Sequence, residues 1–195
     1  MDKEISIVGE PTINPAMCNF IVDRPVYCGN SAYFGNRESA GLSPLARKIF
    51  ELAEVESVLI ADNRVTVTKS GGEPWHEFGK KIGDKIRGHI AANEPAVSEE
   101  YEKSLPDESA LRQKVQDLLD GEINPALGNH GGWAELVEVK RNSIYLRLGG
   151  GCQGCASAKI TLKMGIERII RERIPEIGEV LDATDHASGI NPYHQ

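Results

Sequence analysis

Two cysteines separated by two residues, Cys152 and Cys155, carry the strongest chemical signal in the sequence. They stand in the stretch GGGCQGC at residues 149–155, between a predicted strand and a predicted helix. Thiolates at this spacing can bind one soft metal centre together, and glycines let the backbone approach such a centre because they lack a Cβ. Most thiolate centres need four ligands, and this pair supplies two. The other two ligands must therefore come from elsewhere.

The position of Cys155, at or just before the predicted start of the last long helix, favours a thiolate. Free N–H groups and the positive end of the helix dipole stabilise the deprotonated sulfur there. A [4Fe–4S] cluster takes four cysteine ligands, and a symmetric dimer would place Cys152 and Cys155 of both subunits around one cluster on the two-fold axis. Such a cluster would be exposed and labile, which suits a carrier rather than an electron-transfer protein.

The same cysteine pair allows three other interpretations. A thiol–disulfide oxidoreductase also places CxxC between a strand and a helix, but no tryptophan precedes Cys152 and no proline separates the pair. Zinc held by four thiolates from two chains uses the same ligands as an iron–sulfur cluster. A buried pair without function is the fourth possibility. We favour the cluster, because three consecutive glycines suit a bulky inorganic ligand.

The remaining cysteines and histidines are weaker candidates. Cys18 lies in a predicted strand, where a lone cysteine is usually a small buried hydrophobe, and Cys28 follows it in the same domain. We interpret His130 as a loop histidine in a turn rather than a neighbour of the metal centre. His186 and His194 lie in a polar tail and are expected to be solvated.

A group of basic residues lies along one predicted helix of the first domain. Such a group is usually a solvated helix face, although it could dock an acidic partner. The four residues are Lys80, Lys81, Lys85 and Arg87. The spacing of the other polar residues supports no Ser-His-Asp arrangement, phosphate-binding loop or catalytic carboxylate pair, so we do not expect an enzyme.

The bulk composition narrows the class of protein further. The 195 residues carry a formal net charge of −7, and the pI is about 5.3, so a nucleic-acid-binding surface is not expected. No apolar run approaches the roughly 18 residues that a membrane helix needs. The N-terminal residues resemble neither a secretory signal nor a transit segment. We therefore expect a cytoplasmic protein, in a reducing compartment where CxxC pairs more often serve metal or redox sites than structural disulfides.

The predicted fold is α+β, with two small domains joined by a polar, acidic linker at residues 92–106. The first domain, residues 1–91, is predicted as ββαββα. Its strands begin near Glu4 and Met17, residues 23–42 form an irregular loop, and Ser43-Pro44 caps the first helix.

The second domain, residues 107–195, is predicted as αββαβ. Ser104 to Asp107 is interpreted as a capping box that opens its first helix. The alternating segments around 135–139 and 144–148 predict a hairpin that turns at Arg141-Asn142, and a last strand is expected near Glu179–Asp182. The pair Gly131-Gly132 is expected to permit close packing between the first helix and the sheet.

The second domain resembles the Nfu family, the type of domain found at the C-terminus of NifU. The resemblance is carried by Ile123-Asn124-Pro125 through Gly131-Gly132, by Gly151 to Cys155, by Thr161 to Glu167, and by the tail Asp185 to Tyr193. The first domain resembles the Nfu N-terminal domain in Pro11–Pro15, Ser43 to Ala46, and Val65 to Lys69 with Trp75.

The resemblance implies a scaffold or carrier that binds one [4Fe–4S] cluster per homodimer and transfers it to apo-proteins. Its implied ligands are Cys152 and Cys155, its partners are apo iron–sulfur clients and a cluster-assembly scaffold, and its first domain aids stability or client recognition. The sequence departs from the family pattern at Ala156, where many members have proline, and at Asn124, where many have arginine. Cys18 stands where a larger apolar residue is common.

Overall fold

The computed structural model describes residues 4–129, 131–150 and 156–183, with only the backbone described at 156–163. The chain divides into two compact units, Met1–Leu105 and Pro106–Gln195. Each unit has its own hydrophobic core of buried side chains. Both units combine helices with a sheet, so the predicted α+β class is confirmed.

The first unit is built on a five-stranded antiparallel sheet in the order β1-β2-β5-β4-β3. Its strands are β1 Ile7–Pro11, β2 Met17–Val22, β3 Tyr27–Phe34, β4 Val55–Asp62 and β5 Arg64–Lys69. Burial alternates along β2, where Cys18, Phe20 and Val22 enter the core. This alternation is the period-two pattern of a strand with one buried face.

The prediction of an irregular loop at residues 23–42 was wrong at Tyr27–Phe34, because these residues form strand β3. The strand pairs regularly with β4 from Ser31 to Phe34, but its register shifts between Tyr27 and Ser31. Gly29 adopts a positive φ of 66° within that shift. A bulge adds an unpaired residue and interrupts the alternation of apolar and polar side chains, so the sequence pattern did not reveal this strand.

Two helices cover the buried face of this sheet. Helix α1 spans Pro44–Ile49, and its predicted cap is confirmed, because the Ala46 N–H donates to Ser43 Oγ at 3.0 Å. Helix α2 spans Trp75–Ala91 and buries Phe78, Ile82 and Ile86, among others. The sheet and these two helices enclose the first core.

Part of the segment 92–106 packs against the first core. Ala96 and Val97 are only 6% and 5% exposed, and the Ser43 hydroxyl donates to the Ala96 carbonyl at 2.6 Å. A short helix, α3 Glu99–Ser104, follows and places the Tyr101 ring 5.6 Å from the Phe34 ring, centroid to centroid. The segment predicted as a linker thus contributes side chains to the first unit.

The second unit opens with helical structure and continues with a hairpin. Its elements are α4 Glu108–Leu118, a π-helical segment Leu119–Ile123, α5 Asn124–Gly128, β6 Gly132–Lys140, β7 Ser143–Gly150, α6 Ala156–Arg173 and β8 Val180–Asp182. The cap of α4 is Asp107, whose Oδ1 accepts from the Ala110 N–H at 2.8 Å. Ser104 belongs to α3 instead, so the predicted capping box does not form.

The three strands of the second unit form a mixed sheet in the order β6-β7-β8. Strands β6 and β7 pair antiparallel, and β8 pairs parallel to β7 after the α6 crossover. Arg141 takes a positive φ of 53° in the turn between β6 and β7. The predicted hairpin turn and last strand are therefore confirmed.

Candidate metal-binding loop and the elements that frame it

The cysteines of the CxxC motif, Cys152 and Cys155, lie outside the described residues, as do His130, His186 and His194. What the structure describes is the frame on either side of residues 151–155, where the sequence predicts the CxxC loop. Strand β7 ends at Gly150, and helix α6 begins at Ala156. The candidate ligands therefore belong to a five-residue connection between the middle strand of the sheet and an 18-residue helix.

Gly150, the last residue of β7, must be glycine for two reasons. Its φ is +80°, in the left-handed region that L side chains rarely adopt. A Cβ placed on it would lie 2.1 Å from the Gly131 carbonyl oxygen and 3.0 Å from Gly132 Cα. The chain can enter the cysteine loop along this path only because Gly150 has no side chain. The Gly131-Gly132 pair thus meets β7, in addition to any role in helix packing.

Gly149 is covered by an aromatic side chain from the neighbouring strand. Trp133 pairs with Gly149 across the hairpin, and atoms of its indole lie 2.2 to 2.8 Å from the position of a Gly149 Cβ. The indole is still 43% exposed. An aromatic residue opposite a strand glycine protects the backbone that the glycine leaves open. The last two residues of β7 are therefore both contacted from the opposite side of the hairpin, Gly149 by Trp133 and Gly150 by Gly131.

Asn124 fixes the start of β6 through its side-chain amide. Its Nδ2 donates to the Ala134 carbonyl at 3.0 Å, and its Oδ1 accepts from the Ala134 N–H at 2.7 Å. The amide thus pairs with both backbone groups of Ala134, as a neighbouring strand would. Since Ala134 lies two residues beyond Gly132, this contact also positions the backbone that meets Gly150.

Arg171 holds helix α6 against the turn that precedes β8. Its guanidinium donates to the Glu167 carboxylate at 2.7 Å and to the carbonyls of Ile177 and Gly178 at 3.2 and 2.5 Å. The side chain is only 8% exposed, so these charge-assisted bonds form largely away from water. The helix that follows the cysteines is therefore anchored at its C-terminal end.

The other two cysteines, Cys18 and Cys28, belong to the first unit, whereas the CxxC motif belongs to the second. Cys18 is 4% exposed, and its Sγ donates to the Glu10 carbonyl at 3.4 Å. Burial, together with the nearby Glu10 charge, raises the pKa of the Cys18 thiol. It is thus a protonated core residue, as predicted. Cys28 is exposed, and both thiols are free.

Among residues 4–129, 131–150 and 156–183, no group of three or more His, Cys, Asp or Glu side chains is arranged to hold a metal ion. Within those same residues, no helix combines the length and the apolar character needed to cross a membrane.

Three features of the frame were not predicted from the sequence. They are the two hydrogen bonds between the Asn124 side chain and the Ala134 backbone (the Asn124 clamp), the cover of Gly149 by Trp133, and the contact between Gly131 and Gly150. The glycines were visible as a signal, but their partners were not. Only the observed pairing of Gly132 with Gly150 and of Trp133 with Gly149 shows why these residues belong together.

Two family models match the chain, one in each compact unit. Residues 7–93 match the N-terminal domain of scaffold protein Nfu/NifU, and residues 115–181 match the NifU-like domain.

Individual relatives show the same similarity. A NifU-like protein of Schizosaccharomyces pombe is 30% identical over 151 residues, covering 73% of this chain and 58% of that protein. The Fe/S biogenesis protein NfuA of Ectopseudomonas mendocina is 48% identical over 112 residues, covering 57% of this chain and 56% of that protein. The solution structure of a NifU-like protein from Saccharomyces cerevisiae matches with a TM-score of 0.46 and 23% identity, over 51% of this chain and 90% of that one.

The chain spans a little over half the length of the two curated relatives, 58% and 56%. The matched regions nevertheless account for most of this chain, and they fall in the order N-terminal domain, then NifU-like domain. On the evidence of both matches and of these relatives, the chain belongs to the Nfu family.

Proposed function

We propose that the protein is an iron–sulfur cluster carrier or scaffold that binds a [4Fe–4S] cluster between two subunits and transfers it to apo-proteins. Cys152 and Cys155 of each subunit are the proposed ligands, which gives the four thiolates that such a cluster needs. The cluster is cargo, so the protein is proposed to be a carrier and not an enzyme. Membership of the Nfu family and similarity to proteins named for Fe/S biogenesis support this proposal.

The observation that carries the proposal is the frame of the CxxC loop. Cys155 directly precedes Ala156, the first residue of α6. The first N–H groups of a helix have no intrahelical partner, and the dipole there favours negative charge. Thiolates and the sulfides of a cluster are both negatively charged acceptors. On the other side of the loop, Gly150 has no side chain that could occupy space near the cargo.

Transfer is proposed to proceed by exchange of thiolate ligands. A client thiolate binds one iron as the thiolate of Cys152 or Cys155 leaves it, and the exchange repeats until the client supplies all the ligands. Each exchange forms one iron–sulfur bond and breaks another, so the irons, the sulfides and the electrons are conserved. A cluster-assembly scaffold would load the protein by the same exchange in reverse.

A site shared by two subunits makes release easy. Each subunit contributes only one pair of ligands, and dissociation of the dimer removes two ligands at once. The first unit contains no part of the CxxC motif and is proposed to serve stability or client recognition. The cytoplasm is the proposed compartment, because thiols stay reduced there.

Anaerobic reconstitution of the full chain with iron and sulfide tests the proposal. We expect about two irons and two sulfides per chain in a dimer, which corresponds to one shared four-iron cluster. Cys152→Ser and Cys155→Ser should each abolish binding while the circular dichroism spectrum stays unchanged. Cys28→Ser is the matched control, since Cys28 is an exposed free thiol of the first unit, and it should bind a full cluster.

Other outcomes would overturn the proposal in recognisable ways. A Cys152→Ser variant that retains a full cluster would exclude the ligand assignment. An iron-free monomer that cycles between dithiol and disulfide, and that reduces insulin, would support the oxidoreductase instead. About half a zinc ion per chain in the isolated dimer would indicate a structural zinc site.

A further inference from the structure

The first unit has an open sheet edge at β1. In an antiparallel pair, hydrogen-bonded residues alternate with residues whose backbone groups point away from the partner strand. The Asp23 N–H donates to the Ser6 carbonyl, and the Thr12 N–H donates to the Met17 carbonyl. The even-numbered residues of β1 therefore bond to β2, whereas Ile7 and Gly9 direct their N–H and C=O groups outward. Since β1 is the first strand in the sheet order, these groups have no strand partner among the described residues.

The open stretch is limited at both ends. The carbonyl of Ile5, the next outward group, accepts from Arg87 Nε at 3.2 Å. Pro11 has no N–H to donate. The edge thus offers the N–H and C=O groups of Ile7 and Gly9 and, at its end, the carbonyl of Pro11. The opposite edge strand, β3, differs because its pairing with β4 is broken by a register shift. A bulge is a common protection of an edge against further pairing.

A groove of about 430 Å³ lies between this edge and helix α2. Its floor contains Phe20, and three glycines without side chains border it: Gly9 on β1, and Gly79 and Gly83 on α2. A Cβ on Gly9 would come within 3.8 Å of the Phe20 ring, and one on Gly79 within 3.5 Å. The groove is therefore open because side chains are missing from both of its walls.

Trp75 forms another part of the lining and is fixed in position. Its Nε1–H donates to the Pro15 carbonyl at 2.8 Å, and its ring lies 6.4 Å from that of Phe20, centroid to centroid. Phe20 is only 3% exposed, so the Trp75 ring, which is only partly buried, gives the groove the apolar surface that can receive an aliphatic side chain.

Lys80 gives the groove a cation that is available to a ligand. Its neighbours in the basic group are engaged: Lys81 binds Glu73 at 2.7 Å, Lys85 binds Glu51, and Arg87 binds Asp84 at 2.9 Å. Lys80 lines the groove and is exposed, and no carboxylate among the described residues lies within ion-pair distance of it. Arg87 and Asp84 also line the groove, but they pair with each other, so Lys80 is the lining cation whose charge is left for a ligand.

We propose that this groove binds an extended peptide segment of a partner protein by β-strand addition to β1. The segment pairs with the outward groups of Ile7 and Gly9, places an aliphatic side chain against the Trp75 ring, and directs a carboxylate to Lys80. In peptide recognition of this kind, the backbone bonds give affinity and the alternate side chains give specificity. The proposal does not depend on cluster binding.

A second copy of this chain would fit the groove less well. If two β1 strands paired along their open edges, the odd-numbered residues would lie opposite one another and would share the groove face. These residues are Ile7, Gly9 and Pro11, and none of them is acidic. Glu10 would point to the other face of the sheet. The Lys80 charge therefore favours an acidic segment of another protein.

An amide-resolved NMR titration of the full chain tests the proposal. The probe is a capped heptapeptide in which threonine alternates with valine, and glutamate replaces the central valine. We expect hydrogen exchange to slow at least tenfold at the Ile7 and Gly9 amides at saturation. Val8 and Glu10 should change little, because their amides already bond to β2. A peptide with lysine in place of the glutamate should bind about tenfold more weakly.

Two substitutions test the groove itself. Gly83→Leu fills it, since a Cβ there meets nothing nearer than Arg87 Nη2 at 3.9 Å, and should weaken binding at least tenfold. Gly88→Leu is the matched control on the same helix, where a Cβ meets nothing within 4 Å, and binding should stay within twofold. Lys80→Glu should reverse the preference between the two peptides, which also tests the proposal if Gly83→Leu does not fold.

Three results would overturn the proposal. The first is a titration that leaves the Ile7 and Gly9 amides unchanged at millimolar peptide. The second is protection of the β3 edge in place of β1. The third is protection of Gly9 that increases with protein concentration in the absence of peptide, because the occupant would then be a second copy of the chain.

Discussion

The carbonyl oxygen of Gly131 lies 2.1 Å from the position that a Cβ on Gly150 would occupy. Real Cβ atoms do not approach backbone oxygens so closely, so this contact requires a glycine. It occurs where Gly132 pairs with Gly150, at the last described residue before the CxxC loop. The path by which the chain leaves β7 is thus determined by the backbone of the opposite strand.

Gly150→Ala should destabilise the second unit and reduce cluster binding. The substitution forces an L residue into a positive φ, which costs about 1–2 kcal/mol, and it adds a clash with Gly131. We expect the free energy of unfolding of the second unit to fall by about 2 kcal/mol or more. Urea denaturation followed by the fluorescence of Trp133 measures the change, and anaerobic reconstitution measures the iron bound.

Gly165→Ala is the control for this substitution. Gly165 lies within α6, and a Cβ there meets nothing within 4 Å. Replacing an unobstructed helical glycine by alanine stabilises a helix by about 0.5–1 kcal/mol. The control should therefore be more stable than the wild type, with unchanged cluster content. If Gly150→Ala were as stable as the wild type, the close approach to Gly131 would be refuted.

Asn124→Ala should also loosen the hairpin that precedes the loop. The substitution removes both hydrogen bonds to Ala134, a residue that is only 4% exposed. Leaving a buried donor or acceptor unpaired costs about 1–3 kcal/mol, so we expect a loss of about 2 kcal/mol in unfolding free energy. The measurement is urea denaturation of the full chain.

Two further variants make the Asn124 test specific. Asn124→Asp keeps an acceptor for the Ala134 N–H and should lie between wild type and Asn124→Ala. Asn129→Ala, at an exposed position, should change the free energy of unfolding by less than about 0.5 kcal/mol. Equal stability of Asn124→Ala and Asn129→Ala would show that the clamp contributes nothing.

Sequence patterns predicted those elements whose local signals agree with their packing. The cap at Ser43 and the hairpin turn at Arg141-Asn142 follow from short-range chemistry, and both are present. Strand β3 was missed because its bulge interrupts the alternation on which strand prediction depends. The Asn124 clamp and the Gly131 contact connect residues 10 and 19 positions apart, and no local pattern encodes such a pairing.

The segment at 92–106 illustrates the same limit. Its acidic, polar composition predicted a linker, but composition does not show that Ala96 and Val97 enter a core formed by residues far away in the chain. The ligands of the candidate site, unlike the core residues of this segment, could be predicted from local sequence alone. The CxxC spacing and the glycines are local, so the ligand prediction needed no tertiary information, and it stays a prediction because Cys152 and Cys155 lie outside the described residues.

Val97→Ala tests whether this segment stabilises the first unit. Val97 is 5% exposed, and removing two buried methyl groups should cost about 1–2 kcal/mol. Denaturation followed by Trp75 fluorescence reports on the first unit. The matched control is Val8→Ala, at a strand position of the same unit that is 56% exposed, which should cost less than about 0.5 kcal/mol. If both variants unfolded like the wild type, the segment would be a linker after all.

His89 should make the stability of the first unit depend on pH in a defined window. The ring is 1% exposed. Burial lowers the pKa of His89, and the Lys48 charge adds to this, although Glu94, whose Oε2 lies 3.7 Å from Nδ1, opposes it. The folded state thus binds the proton less readily than the unfolded state, whose histidine titrates near 6.5. The stability that the first unit gains by keeping His89 neutral is complete above about pH 6.5. It is lost as the pH falls towards the folded-state pKa.

The test is the slope of unfolding free energy against pH between about 7 and 5.5, for which one proton gives at most about 1.4 kcal/mol per pH unit. His89→Leu should flatten the slope, because it removes the buried titrating group. His76→Gln is the control, since His76 is 73% exposed, and its slope should match the wild type. The pKa of Glu94 is lowered by Lys48, so its own contribution is lost only at lower pH, below about 4.5. A wild-type slope in His89→Leu would show that another group controls the acid sensitivity of the first unit.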